Sequence, residues 1–207
     1  MEDRAAHDAF LETADAFARD RLSDKRYAHT LRVADAAGRL AALHGLDVSK
    51  ARLAALLHDA AREVGKEELL RIAGERNLPV GDPERESPNL LHGPVAAELA
   101  RAQLGVEDEE VLEAIRVHTL GEPQMGSLAL AVYVADKIEP GRDYPSVGRL
   151  RQLASSNLRE AAVEALRRAR AHNEHRGRET HPASLETLRW LEKFAESRVD
   201  GQNRVPR

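Results

Sequence analysis

Apolar positions recur along this chain at steps of three and four, the period of a helix that buries one face. Between Ser23, a good N-cap residue, and Gly45, a natural stop, His29, Val33, Ala36, Leu40 and Leu43 fall on one stripe. That spacing predicts a helix from Ser23 to His44 with His29 facing inward. A second stripe, Ala51, Ala54, Leu57 or His58, and Ala61, predicts a helix over Val48 to Ala61 that gives way near Gly65 and holds His58 and Asp59 in its last turn. A short helix over Lys66 to Asn77 leads into LPVGDPERESPN, where three prolines and a glycine in a polar run mark the longest loop, and His92 follows it. Further helices are expected at about Leu90–Leu104, Glu107–His118, Ser127–Ile138, Asn157–Ala171 and Pro182–Ser197, separated by Gly105, GEPQMG and EPGRDYP. Val111, Ile115 and His118 share a face, and Asp136 falls one turn after Val132 and Tyr133. The first helix, from about Arg4 to Arg19, is amphipathic and carries no candidate chemistry. The closing VDGQNRVPR has too few apolar residues to order itself.

Composition supports the same picture. Hydrophobic residues make up 42% of the chain but aromatics only 3%, with alanine, leucine, arginine and glutamate dominant and β-branched residues sparse, which favours helices over sheets. The expected fold is all-α, a helical bundle with one core, since 207 residues suffice for one and no Pro/Gly/Ser-rich linker divides them. The expected divisions are an N-terminal helical extension over 1–21, a single domain over 22–197 and an unordered tail over 198–207. No repeat at a 20–50-residue period suggests a solenoid.

The net charge of −4 comes from 31 basic and 35 acidic residues mixed along the chain, so no general basic field would attract a nucleic-acid backbone. The one basic run, LRRARAHNEHRGR, reads as a solvated helix end. No secretion-type apolar run opens the chain and no 18-residue apolar stretch occurs, which predicts a soluble cytoplasmic protein without a membrane partner. The sequence contains no cysteine, so any metal would have to be held by imidazole and carboxylate.

Nine histidines occur, and four of them, His29, His58, His92 and His118, lie in or beside predicted helices on or near apolar stripes. Burial disfavours a charged ring and demands a partner for each nitrogen. Taken singly, each reads as a hydrogen-bonded core histidine. Taken together, they exceed what an aliphatic core can satisfy, whereas a metal satisfies several imidazoles at once. In the pair His58-Asp59, successive helical side chains diverge by about 100°. One metal takes both only against the helix end; alternatively the carboxylate bridges two metals.

The order His29…His58-Asp59…His92…His118…Asp136, within about 110 residues, resembles the HD-domain superfamily of metal-dependent phosphohydrolases. RYAHTLRVADAAGRLA, LAALLHDAAR, LLHGPVAAELA, AIRVHTLGEPQM, YVADKIEPGRDYP and HPASLETLRWL look like successive blocks of the YqeK family of symmetrical bis(5′-nucleosyl)-tetraphosphatases, a likeness spanning roughly residues 22–197. The resemblance implies that His29, His58, Asp59 and Asp136 hold one metal, while Asp59, His92 and His118 hold or complete a second. It favours iron; manganese, cobalt, nickel or zinc would suit the same donors. It implies attack by metal-bound hydroxide, with Asp59 catalytic, on diadenosine tetraphosphate or a related dinucleoside polyphosphate, giving two nucleoside diphosphates. No G-x-S-x-G or Gly-rich phosphate loop offers another route. Two rival readings are an HD phosphohydrolase of another nucleotide or phosphoester, and a nucleotide-sensing metal protein without turnover.

Around this set, Arg62 is a candidate for catalysis and phosphate binding at a position where relatives more often carry lysine. A guanidinium binds phosphate bidentately but is a poor proton donor. Arg142 in EPGRDYP is a second phosphate-binding candidate, with Asp143 to orient it or a nucleoside. Thr119 is a third, although a threonine at a helix end commonly caps its own backbone. Lys137 reads as a neutral variation where the resembling blocks have tyrosine, and Glu139 as an exposed acid. A homodimer is the expected assembly if the chain self-associates.

Overall fold

The structure is a computed structural model that describes the backbone of residues 2–202 and the side chains of residues 9–193. Eleven α-helices and one 3₁₀ turn make up the described fold, with no strand among the described residues. They are α1 (Glu2–Arg19), α2 (Asp24–Leu43), α3 (Val48–Leu57), α4 (Lys66–Glu75), α5 (Asp82–Glu86), the 3₁₀ turn Pro88–Leu91, α6 (His92–Leu104), α7 (Glu109–Val117), α8 (Ser127–Ile138), α9 (Val147–Ser156), α10 (Leu158–His175) and α11 (Pro182–Gln202). No helix among the described residues is long and apolar enough to cross a membrane.

Local chemistry sets the helix starts. Asp47 caps α3 by accepting from the amides of Ser49 and Lys50 at 2.8 and 2.9 Å, and Asp108 and Asn157 cap α7 and α10 in the same way. Ser23 precedes α2 as expected, but its hydroxyl does not cap the helix. It and its amide donate instead to Glu63, at 2.7 and 2.6 Å, which ties the start of α2 to the turn after α3.

The core is built largely of alanine and leucine, so helices approach closely. The stripe Val33, Ala36, Ala37, Leu40 and Ala41 of α2 packs against Ala51, Ala54 and Ala55 of α3. Ala14 and Phe17 of α1 join the same cluster. Helix α8 runs through the middle, with ten of its twelve residues buried, and α2, α3, α7, α9 and α10 pack around it. This explains its near-continuous apolar sequence: a helix covered on all sides has no polar face.

Several boundaries differ from the sequence expectation. Helix α3 stops at Leu57, and residues 58–64 continue in tight turns closed by bonds from Ala60 to Leu57, Arg62 to Asp59 and Val64 to Ala61. His58 and Asp59 therefore lie just past the helix, where both can bury, whereas a continuing helix would have turned one of them away. Helix α6 starts at His92 because Pro88–Leu91 form the 3₁₀ turn. Helices α4 and α7 end at Glu75 and Val117, and α10 extends to His175. The expected loop after α4 contains α5, whose Glu84 accepts from the Gly81 amide at 2.8 Å. Helix α9 is not among the expected elements: only its Leu150 and Ala154 are buried, a stripe too narrow to stand out in VGRLRQLASS. Helix α11 runs to Gln202, past the expected end at Ser197 and into the expected unordered tail, of which residues 203–207 lie outside the described residues, as do the side chains from 194 onward.

Candidate metal centre

Six side chains converge from five elements, five of them at or beside helix ends and His29 from within α2. His29 projects inward from α2, His58 caps the end of α3 and Asp59 follows it, His92 opens α6, His118 caps the end of α7, and Asp136 sits in the last turn of α8. None exceeds 7% exposure.

Three of the imidazoles are aimed by one local device. His58 Nδ1 lies 2.6 Å from the Ala55 carbonyl, His92 Nδ1 2.5 Å from that of Asn89, and His118 Nδ1 2.8 Å from that of Ile115. Each ring donates to a carbonyl three residues earlier, where the α-helical ladder ends or tightens; the Asn89 carbonyl also accepts the His92 amide. The proton is thereby assigned to Nδ1, and Nε2 presents its lone pair to the interior. His29 lies mid-helix, where the carbonyls are already used. Its Nδ1 donates instead to Glu139 Oε1 at 3.1 Å.

Asp59 stands between the four rings. Its Oδ2 is 3.4 Å from His58 Nε2 and 3.8 Å from His29 Nε2; its Oδ1 is 3.3 Å from His92 Nε2 and 3.8 Å from His118 Nε2. Asp136 Oδ1 lies 3.1 Å from His29 Nε2. Two sets of donor atoms each fall within 4.8 Å of one another: those of His29, His58 and Asp136, and those of His58, Asp59 and His118. His58 belongs to both sets.

The HD domain family matches residues 26–141, which include all six residues. The chain belongs to the HD family. It is 37% identical over 180 residues to the symmetrical bis(5′-nucleosyl)-tetraphosphatase of Bacillus subtilis, covering 87% of this chain and 96% of that protein. It is 41% identical over 145 residues to the enzyme of the same name from Halalkalibacterium halodurans, covering 70% and 77%. Among solved structures, one described as a "predicted HD superfamily hydrolase involved in NAD metabolism" from Clostridium acetobutylicum superposes with a TM-score of 0.86 at 34% identity, covering 88% of this chain and 97% of that one.

The HD cluster fits a metal. His29 Nε2 and His58 Nε2 are buried without a hydrogen-bond partner. His92 Nε2 and His118 Nε2 face each other at 3.0 Å, yet both rings have committed their protons to backbone carbonyls. Two opposed lone pairs repel, and a cation between them converts repulsion into coordination. The donor set is nitrogen and oxygen only, which suits the imidazole- and carboxylate-binding transition metals.

Electrostatics keep the carboxylates ionised. Burial opposes charge on Asp59, but His58, His92 and His118, through the charge and Nε2–H they carry when protonated, hold it well below the usual carboxylate range. Burial likewise opposes charge on Asp136, and Lys137, His29, His58 and Arg142 overcome it. Burial, then the neighbouring His58 and His92, push the His118 ring well below its ordinary value. For His58 burial acts in the same sense, but the adjacent Asp59 charge outweighs it and raises the ring.

The surroundings of the HD centre correct several expectations. Glu139 is not exposed: it is 2% exposed and also accepts from Arg32 Nε at 2.5 Å and the Gly141 amide at 2.6 Å. Lys137 is not neutral to the site, since its Nζ lies 2.7 Å from Asp136 Oδ2. Thr119 does not cap its backbone; its Oγ1 lies 3.2 and 3.0 Å from the Nε2 atoms of His92 and His118. Arg142 reaches the centre, with Nη2 2.6 Å from Asp136 Oδ1 and Nε 2.8 Å from the Asp136 carbonyl. Asp143 is exposed and does not orient it. Arg62 is half-buried, and its side chain makes no hydrogen bond or ion pair among the described residues. Arg26, which the sequence pattern does not single out, places Nη1 3.1 Å from Asp59 Oδ2. Its position three residues before His29, on the same helix face, is the available signal.

Proposed function

We propose that this HD protein is a metal-dependent symmetrical bis(5′-nucleosyl)-tetraphosphatase. It hydrolyses the central phosphoanhydride of diadenosine tetraphosphate or a related dinucleoside tetraphosphate. Water's oxygen joins one phosphorus, the P–O bond to the bridging oxygen breaks, and two nucleoside diphosphates leave. The observation that carries the reaction class is the bracketing of Asp59, one oxygen toward His29 and His58 and the other toward His92 and His118. The relatives that share most of the chain's length support the substrate.

In this reading His29, His58, Asp59 and Asp136 hold one ion, and Asp59, His92 and His118 hold a second, with iron the first to test and manganese, cobalt, nickel and zinc compatible. Two such ions supply an activated water and offset charge developing on the phosphoryl oxygen. The chain's own residues do the rest. Asp59, kept ionised, would contribute to both positions. The four Nδ1 hydrogen bonds fix each ring before any ion arrives, and Glu139 holds the one ring that no carbonyl can hold. Thr119 and Arg142, at the edge of the cluster, would donate to substrate oxygens, with Arg62 as a further phosphate contact. Asp143 is retained only as a nucleoside contact outside the cluster.

Protein loaded separately with iron, manganese or zinc and given diadenosine tetraphosphate should release ADP as the sole nucleotide product. ATP with AMP, or no turnover with any metal, would overturn the reading.

A further inference from the structure

The charge around the cluster is larger than metal binding requires. Three carboxylates belong to the site: Asp59 and Asp136 in the cluster and Glu139 behind His29. Four cations contact them: Arg26 on Asp59, Lys137 and Arg142 on Asp136, and Arg32 on Glu139. With neutral imidazoles the local sum is +1, in a chain whose net charge is −4. Surplus positive charge weakens a site for divalent cations, because like charges repel in a buried, low-dielectric setting. A second, anionic ligand is what makes the surplus favourable.

The four cations are not equivalent. Arg32 is directed to Glu139, behind His29. Arg142 is fixed by two bonds to Asp136, to its carbonyl and its carboxylate. Arg26 and Lys137 each reach a carboxylate through a single nitrogen; like Arg32 and Arg142, at 39% and 36%, they lie between the buried ligands and solvent, with side chains 31% and 27% exposed against 4% for Asp59 and 11% for Asp136. Arg26 touches Asp59 through Nη1 alone, leaving other donors of its fork available. Lys137 touches members of both donor sets, Asp136 Oδ2 at 2.7 Å and the His118 carbonyl at 3.5 Å. Its ammonium therefore stands on the Asp136 side of the cluster, toward the end of α7. The Lys137 ammonium lies over the Tyr133 ring, 4.9 Å from its centroid, in a cation–π contact. Glu63 also lies near Arg26; the neutral Ser23 that donates to it does not cancel its charge, but Glu63 is exposed and its field is screened by solvent.

We propose that Arg26 and Lys137 are contacts for the phosphate chain of the substrate, one cation beside each of the two carboxylates in the cluster. The proposal rests on the polyphosphatase reading above for the substrate's identity.

Inorganic tripolyphosphate carries the phosphate chain without nucleosides, so its binding to the metal-loaded protein tests these residues apart from turnover. In Arg26→Gln and Lys137→Gln, metal content should stay at the wild-type level while calorimetric affinity for tripolyphosphate falls about tenfold in each. KM for the dinucleoside tetraphosphate should rise in parallel, with kcat changed less. Lys137→Arg should recover most of the lost affinity, and Lys50→Gln, outside the cluster, should lose none. Unchanged tripolyphosphate affinity in both glutamine variants overturns the proposal, as does metal loss that accounts for the whole defect. Tripolyphosphate binding that depends on both residues, in a protein that cleaves no dinucleoside tetraphosphate, supports the contacts while removing the proposed activity.

Discussion

Glu139 illustrates how much a single residue depends on where the fold puts it. In the sequence it is one acid after a helix, next to a proline and a glycine. In the structure it is the buried anion that aims His29, held by Arg32 and the Gly141 amide. Groups that orient a ligating imidazole commonly govern metal affinity by about 10–100-fold. Glu139→Gln should therefore lower affinity at the His29 side by about that range while circular dichroism stays unchanged; wild-type affinity would show that Glu139 serves packing alone. Protonation adds a second expectation, because protons and metals compete for the same Nε2 atoms. Asp59 raises the His58 ring above its ordinary 6.5, so His58 retains its proton to higher pH and metal must displace it. His118, pushed well below 6.5, offers no such competition near neutrality. Metal affinity measured by titration should rise with pH through the range above 6.5 and level off once His58 is neutral. An affinity that falls with pH over that range would contradict the assignment.

Between elements, the separation of α6 from α7 is set by Gly93. A Cβ there would meet the Arg116 carbonyl oxygen at 2.7 Å and the His118 ring at 3.3 Å. The obstacle is backbone, so Gly93→Ala must shift one helix against the other, at a cost of about 1–3 kcal/mol. The shift should reach His118 first, reducing metal content as well as lowering the melting temperature. A variant that melts lower with full metal content would separate packing from the site. At this scale the sequence is readable in part. The inward stripe of α2 places His29, and the polar run before His92 marks the entry to α6. The turns at 58–64 are not readable, because Ala60 and Ala61 continue a helical pattern and only the tertiary site draws His58 and Asp59 inward together. Glu139 and Lys137 are unreadable for a related reason: what covers them comes from α2 and α7, remote in sequence. Arg26 carries a usable signal in its three-residue offset from His29.

For the whole molecule, the centre joins α2, α3, α6, α7 and α8, which otherwise meet through small aliphatic side chains. Without an ion, this junction contains unpartnered imidazole nitrogens and opposed lone pairs. A ligand that binds only the folded state stabilises it by about 2.7 kcal/mol at one hundred times its dissociation constant. For a chain of this size that corresponds to about 5–10 °C. Removing metal with a chelator should lower the melting temperature by about that amount, and adding back metal should restore it. A melting temperature indifferent to chelation would place the ions outside the folded core. The helix-end carbonyls that hold His58, His92 and His118 have a further, kinetic consequence. Rotamer freedom in these three rings is lost when their helices form, before an ion arrives. Ion capture should then be limited by how quickly the ion sheds its own water, so that association rates across different metals follow their water-exchange rates.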